Sequence, residues 1–303
     1  MRLNQFRDVV AIAERGSLRA AARYLRVTQP ALTRSIRELE RELGVPLFER
    51  RARGMVPTPM GSAVVRRAAA VLSEVRRVRE EVDQLHGGTG GRVVAGLSFV
   101  GHTALLPKAL RPFHARYPNV QLHIIDGGYP PMEAGLKDGS IDFYVGPRPE
   151  GPPPPELVLE KLFDGVRVVI GRKGHPLAAA RSLRDLVGAE WASSSITFKA
   201  EEEFRELFAQ HGLPAPRLAL RGQGAFTLVT ALANSDLLAM LPIQFLTAAE
   251  GDTRLARIIV KEPLPAPAIV VVRRGDLPLT PAAEFLLDLL RRNIPPSAKR
   301  RQA

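Results

Sequence analysis

A chain of 303 residues is too long for one ordinary hydrophobic core, and 45% apolar with 24% charged residues is the balance of a globular protein. The complete lack of cysteine excludes disulfides, thiolate catalysis and most zinc sites. The formal net charge of +12 is unevenly placed: residues 1–91 hold 17 arginines against 10 acidic residues, a net of +7, and Lys299, Arg300 and Arg301 add +3 at the tail.

A basic N-terminal block on a nearly neutral body is the footprint expected of a phosphate-binding head, although solvated arginine-rich faces give the same total. No apolar run reaches the roughly 18 residues of a membrane span. Met1–Val10 lacks an apolar segment followed by a small-residue cleavage site. A cytoplasmic address without membrane association is therefore expected.

Three short helices open the chain. Leu3, Phe6, Val9, Val10 and Ala13 form one apolar stripe at helical spacing. Gly16 breaks that helix and Ser17 caps the next, which carries Leu18, Ala21, Ala22 and Leu25. After the turn at Arg26–Val27, Thr28 caps a third helix with Pro30 in its first turn. Leu32, Ile36, Leu39 and Leu43 make its buried stripe, while Gln29, Thr33, Arg34 and Arg37 face outward. Two helices joined by a tight turn, the second with amides and guanidinium groups near its start, suit a helix in the major groove. Ordinary helical hairpins share the pattern. Next, Val45–Arg50 and Met55–Thr58 predict a two-stranded wing with Arg50, Arg51 and Arg53 at its tip, placed for phosphate contacts.

Thr58 and Pro59 then start a long helix. Val64, Ala68, Val71, Val75, Val78, Val82 and Leu85 alternate steps of four and three, a heptad seam that predicts a dimer, with Arg66, Arg67, Arg76, Arg77, Glu80 and Glu81 outside it. A core helix within its own domain is the competing reading. Gly87–Gly91, with four glycines in five residues, reads as a flexible hinge.

Residues 1–61 resemble the LysR-type transcriptional regulators. The likeness lies in Gly16-Ser17-Leu18-Arg19-Ala20-Ala21-Ala22, in Thr28-Gln29-Pro30-Ala31-Leu32-Thr33 and in Leu43-Gly44-Val45-Pro46-Leu47-Phe48-Glu49-Arg50. Pro57-Thr58-Pro59-Met60-Gly61 departs from the family, whose members usually place leucine before the threonine and no proline after it. The resemblance implies an N-terminal all-α winged helix-turn-helix with a long linker helix, followed by a C-terminal α/β, periplasmic-binding-protein-like two-lobed effector domain. It implies double-stranded DNA with an interrupted palindromic operator, a small-molecule effector, RNA polymerase and a dimer of dimers as partners. The expected DNA-binding set is Ser17, Thr28, Gln29, Pro30, Thr33, Arg34, Arg37, Arg50, Arg51 and Arg53.

Beyond residue 91 short β runs alternate with helices. Val93–Leu97, Val120–Ile125 and Ile141–Val145 read as strands, and Thr103–Tyr117 and Pro130–Lys137 as helices, up to a stiff connector at Pro152–Pro155. From Phe163 the alternation resumes with strands at Val166–Ile170, Ala189–Ser193, Leu218–Leu220 and Leu237–Leu241, interleaved with helices at Ser182–Val187, Glu201–Gly212 and Phe226–Ala233. A second connector at Pro263–Pro267 precedes a strand at Ile269–Val272 and a helix at Ala282–Arg292. Mostly parallel sheets are expected, with one lobe inserted into the other. The resulting segments are 1–58 (winged head), 59–86 (linker helix), 87–91 (hinge), 92–162 (lobe I), 163–265 (lobe II) and 266–303 (return to lobe I and basic tail).

Ligands in such folds sit where strands end and helices begin. The expected effector set is Ser98, Phe99, Val100, Thr103, Gly128, Tyr129 and Arg148 from lobe I, with Ser194, Ser195, Thr197 and Phe226 from lobe II. Arg148 can clamp a carboxylate or sulfonate, and Phe99, Tyr129 and Phe226 can pack on an aromatic ring. A small organic anion follows as the expected effector. Arg148 can equally be a plain surface arginine.

No catalytic residue, metal site or cofactor is expected. Gly96–Gly101 is one residue too long for a nucleophile elbow, the six histidines form no i,i+4 pair, and Gly222-Gln223-Gly224 lacks the last glycine of a dinucleotide fingerprint. The alternatives are a basic architectural protein binding DNA without sequence choice, and an enzyme carrying a DNA-binding head.

Overall fold

A computed structural model describes residues 1–51, 54–193, 199–222, 224–247, 254–264 and 266–295. The head contains α1 (Leu3–Arg15), α2 (Leu18–Leu25), α3 (Gln29–Leu43), β1 (Phe48–Arg51) and β2 (Gly54–Pro57). Ser17, Thr28 and Thr58 each cap the following helix by accepting a backbone N–H bond. Val9, Ile12, Ala21, Leu32, Ile36, Leu39 and Leu47 close the core, and Ser35 donates to Asp8 at 2.6 Å, tying α3 to α1. The wing strands pair antiparallel from Phe48↔Pro57 to Arg51↔Gly54. Met55 N–H donates to the Gly16 carbonyl at 2.7 Å, which pins this hairpin to the α1–α2 turn.

The linker helix α4 (Pro59–Leu85) begins at the expected threonine, and Pro57 simply ends β2. Its apolar stripe is not one seam. Ala68 is buried in the head core and Val64 packs against it, because α4 must cover α1 before it leaves the head. Only beyond that point do the valines face outward: Val78 is 54% and Val82 51% exposed.

The glycine run does not form a loose hinge. Strand β3 (Gly90–Leu97) starts inside it, and Gly91 pairs with Val120. Gly88 N–H donates to the Asp83 carbonyl at 2.9 Å, and Gln84 Nε2 donates to Gly90 O at 3.0 Å. Helix end and strand start are thus stitched together.

Lobe I continues with a π turn (Gly101–Leu105), α5 (Leu106–Arg116), β4 (Asn119–Asp126), a 3-10 turn (Pro130–Met132), α6 (Glu133–Asp138), β5 (Phe143–Pro147) and β6 (Leu157–Phe163). Lobe II holds β7 (Arg167–Arg172), a 3-10 turn (Leu183–Leu186), β8 (Glu190–Ser193), α7 (Lys199–Gln210), β9 (Arg217–Arg221), α8 (Ala225–Ala233), β10 (Leu238–Pro242), α9 (Gln244–Thr247) and β11 (Leu255–Ile258). The chain then returns to lobe I as β12 (Ile269–Arg274) and α10 (Pro281–Arg292). The strand orders are β4-β3-β5-β12-β6 and β11-β7-β10-β8-β9, so one lobe is inserted in the other, as expected.

Four of the five strands in each sheet run in one direction, as expected, and one is reversed: β12 is antiparallel to β5 and β6, and β7 is antiparallel to β10 and β11. Each crossing between lobes enters its sheet from the opposite end, which reverses that strand. Strands β6 and β11 carried no recognisable signal, since Leu157–Phe163 and Leu255–Ile258 interleave charges with leucine. The two crossings touch. A Cβ on Gly165 would lie 2.2 Å from the Pro267 carbonyl, so only glycine admits this approach.

Candidate nucleic-acid interface and ligand cleft

Helix α3 presents the expected face. Gln29, Pro30, Thr33, Arg34, Arg37, Glu38 and Arg41 lie together along one open side of the helix. Gln29, Arg34 and Arg37 are exposed, and their side chains have no hydrogen-bond or ion-pair partner among the described residues. Thr33 donates to the Gln29 carbonyl at 2.9 Å, so its hydroxyl stiffens the first turn. Ser17 and Thr28 are helix caps, each accepting from the backbone N–H three residues on. On the wing, Arg50 is exposed, whereas Arg51 pairs with Glu49 at 3.0 Å, which reduces the charge it offers a phosphate. Arg53 lies outside the described residues.

Two helix faces on α4 have separate jobs. Val71, Val78, Val82 and Leu85 are exposed on one. A second stripe of Ser73, Arg77, Glu80 and Gln84 has the same four-three-four spacing and docks on lobe I. Arg77, expected outside, is buried. It donates to the Gly139 carbonyl and to Asp142 Oδ1, both at 2.9 Å, and Ser73 donates to Gly139 O at 2.7 Å. Asp142 also accepts from Val94 N–H at 2.7 Å, and Gln84 accepts from Ala282 N–H at 2.9 Å. Burial pushes the Asp142 carboxyl above the usual carboxylate range, with the Arg77 charge opposing it. Sequence reading missed this stripe because arginine on a long helix reads as a solvated face. Its spacing was the available signal.

The strand ends of lobe I collect Ser98, Phe99, Thr103, Gly128 and Arg148. Arg148 is exposed just past β5, with its N–H donating to Ala268 O at 2.8 Å, beside the crossing. Phe99 is not free to receive a ring. It stacks on Phe245 of α9 with centroids 3.6 Å apart, bridging the lobes. Three further expectations are corrected. Val100 belongs to the core of lobe I, where the π turn folds it inward. Tyr129 is buried against Tyr144, edge to face at 5.9 Å, because the turn that follows it packs on the sheet. Phe226 is 84% exposed, since α8 buries Leu228 and Leu232 instead. Ser194, Ser195 and Thr197 lie outside the described residues.

Both buried tyrosines stay protonated at physiological pH. Burial, with nearby Glu133, pushes Tyr129 up to about 12, and burial alone raises Tyr144 further.

Known proteins share this arrangement. Residues 3–62 match the bacterial regulatory helix-turn-helix of the lysR family, and residues 86–295 match the LysR substrate binding domain. A "SDS degradation transcriptional activation protein" of Pseudomonas sp. is 30% identical, the match covering 98% of this chain and 99% of that one. The "HTH-type transcriptional regulator GalR" of Pseudomonas putida is 27% identical over 94% of this chain and 72% of its own. Among solved structures, a full-length OxyR variant of Pseudomonas aeruginosa superposes with a TM-score of 0.72 at 21% identity, covering 99% of this chain and 97% of that one. Full-length CbnR with its target DNA gives 0.69 at 22%, covering 97% and 100%. The two family models together span nearly the whole chain, its helical head and its two-sheet α/β body alike, and the chain belongs to the LysR-type family of DNA-binding transcriptional regulators.

Proposed function

We propose that this regulator reads an interrupted palindrome with two copies of α3, joined through the exposed half of α4, and responds to a small organic anion held between its lobes. The unpartnered Gln29, Arg34 and Arg37 on a rigid, capped helix carry the reading. Such groups fit base edges in a major groove, while Arg50 on the wing fits a phosphate. The chain acts in the cytoplasm as a dimer of dimers, without catalysis, and engages RNA polymerase where it activates.

Arg148 at the ends of the lobe I strands supports an anionic ligand. One relative is named for the degradation of SDS, an alkyl sulfate, which is the same charge class. Selection of bound duplexes from a random library, with and without candidate anions, tests the whole. Two similar half-sites at fixed spacing are expected. Equal affinity for all duplexes at one salt concentration would instead make this an architectural DNA binder.

A further inference from the structure

Tyr144 has a feature that packing does not explain. It is fully buried in β5, yet its hydroxyl has no hydrogen-bond partner among the described residues. A phenylalanine would fill the same space without the desolvation cost of an unpaired hydroxyl.

The direction of the side chain is clear from its neighbours. Gly96 is its register partner on β3, and a Cβ there would lie 3.3 Å from Tyr144 Cδ2. Gly146 is two residues further along the same face of β5, and a Cβ there would lie only 2.0 Å from the Tyr144 hydroxyl. That same position is 2.7 Å from Ser98 Cβ. The ring therefore runs along the strand over two glycines, held at its edge by Tyr129, and delivers its hydroxyl to the C-terminal end of the sheet beside Ser98.

We infer that Tyr144 is the buried donor of the ligand cleft, hydrogen-bonding a carboxylate, sulfonate or sulfate oxygen of the effector where β3 and β5 end. The inference rests on the between-lobe reading above and adds to it the group that selects for an acceptor atom at the cleft floor. A phenol held protonated by burial is a donor throughout the physiological range, and a bond to an anionic oxygen is charge-assisted. Tyr129 is then a positioning residue, bracing the ring instead of touching the ligand.

The test is calorimetric titration of the full chain and its Tyr144→Phe variant with benzoate, benzenesulfonate and hexyl sulfate, alongside thermal melts without ligand. At least one anion is expected to bind the parent protein. Tyr144→Phe should bind it roughly tenfold or more weakly while melting no lower than the parent. Equal affinity for both proteins overturns the tyrosine assignment and leaves the cleft reading standing, provided that Arg148→Ala still weakens binding. A lower melting point with unchanged affinity also overturns it, making the hydroxyl structural. If none of the three anions binds the parent protein, the anion assignment falls, whereas the cleft reading falls only if no metabolite changes the outcome of the duplex selection.

Discussion

Replacing Arg77 by methionine should destabilise the body of the protein, and by an amount that depends on pH. The Arg77–Asp142 bond is 2.9 Å long, with side-chain exposures of 5% and 3%, so the variant leaves a carboxylate buried without its cation. Breaking such a pair from one side costs about 3–5 kcal/mol, or roughly 6–20 °C of melting temperature at about 2–4 °C per kcal/mol. The sign with pH follows from burial, which already raises Asp142. A carboxyl with a raised folded pKa favours the fold while protonated, and that contribution is lost as pH climbs through the folded value. Arg77 limits the loss. Without it the carboxyl shifts further up, so the penalty of Arg77→Met should be large at pH 8 and shrink towards pH 5. Adding Asp142→Asn should recover stability at pH 8, since the amide still accepts from Val94 N–H and carries no charge. Scanning calorimetry of the parent, both single variants and the double variant at the two pH values measures this. A methionine variant melting within about 2 °C of the parent at pH 8, or losing equally at both values, would refute the reasoning.

Other outcomes follow from the same structure. Gln29→Ala should relax base preference at one position by about 1–3 kcal/mol, whereas Arg50→Ala should weaken all duplexes alike and lower the salt slope by about one; a quantitative binding series against salt separates them. Val78→Asp should leave the chain monomeric in analytical ultracentrifugation, because it removes about 1.5–3 kcal/mol of apolar burial from each copy and sets two like charges across the seam. Phe245→Ala should remove the Phe99 stack, about 0.5–1.5 kcal/mol beyond its burial, and increase the radius of gyration in small-angle scattering as the lobes part.

The head was legible in the sequence because most of its helix ends are marked by residues that act on the adjoining turn. Ser17, Thr28 and Thr58 cap and Gly16 and Gly44 end helices, even though Thr58 also donates to the Pro46 carbonyl and Gly16 O also accepts from Met55 N–H. The alternation of strands and helices beyond residue 90 was legible from its apolar runs, apart from β6 and β11. Among the expected site residues, what failed were inferences about which side a residue faces. Tyr129 follows a strand end just as Ser98 does, but a 3-10 turn rotates it into the core. Phe226 sits in the first turn of an apolar helix whose buried side is set by Leu228 and Leu232, so position in chain order said nothing of its direction. Tyr144 was unreadable altogether, since a tyrosine in a core strand looks like packing until its hydroxyl is found alone.

Helix α4 shows why periodicity alone misleads. Valines and polar residues on it share one four-three-four spacing, and three surfaces compete for them. The head takes Val64 and Ala68, lobe I takes Ser73, Arg77 and Gln84, and only the remaining valines and Leu85 are left for a second copy. The polar stripe makes lobe I and the C-terminal half of α4 one mechanical unit, because tilting the helix would strip a buried carboxylate of its cation and leave Gln84 and Ala282 N–H unpaired. Lobe II has no such tie to α4 among the described residues. It joins lobe I through two adjacent crossings at Gly165 and Pro267 and through the Phe99–Phe245 stack. In the proposed dimer a ligand between the lobes therefore moves lobe II against a unit that already includes the helix carrying the head. On that proposal the signal would reach DNA by changing how whole units stack on their partners, since bending the linker against its own lobe is the costlier motion.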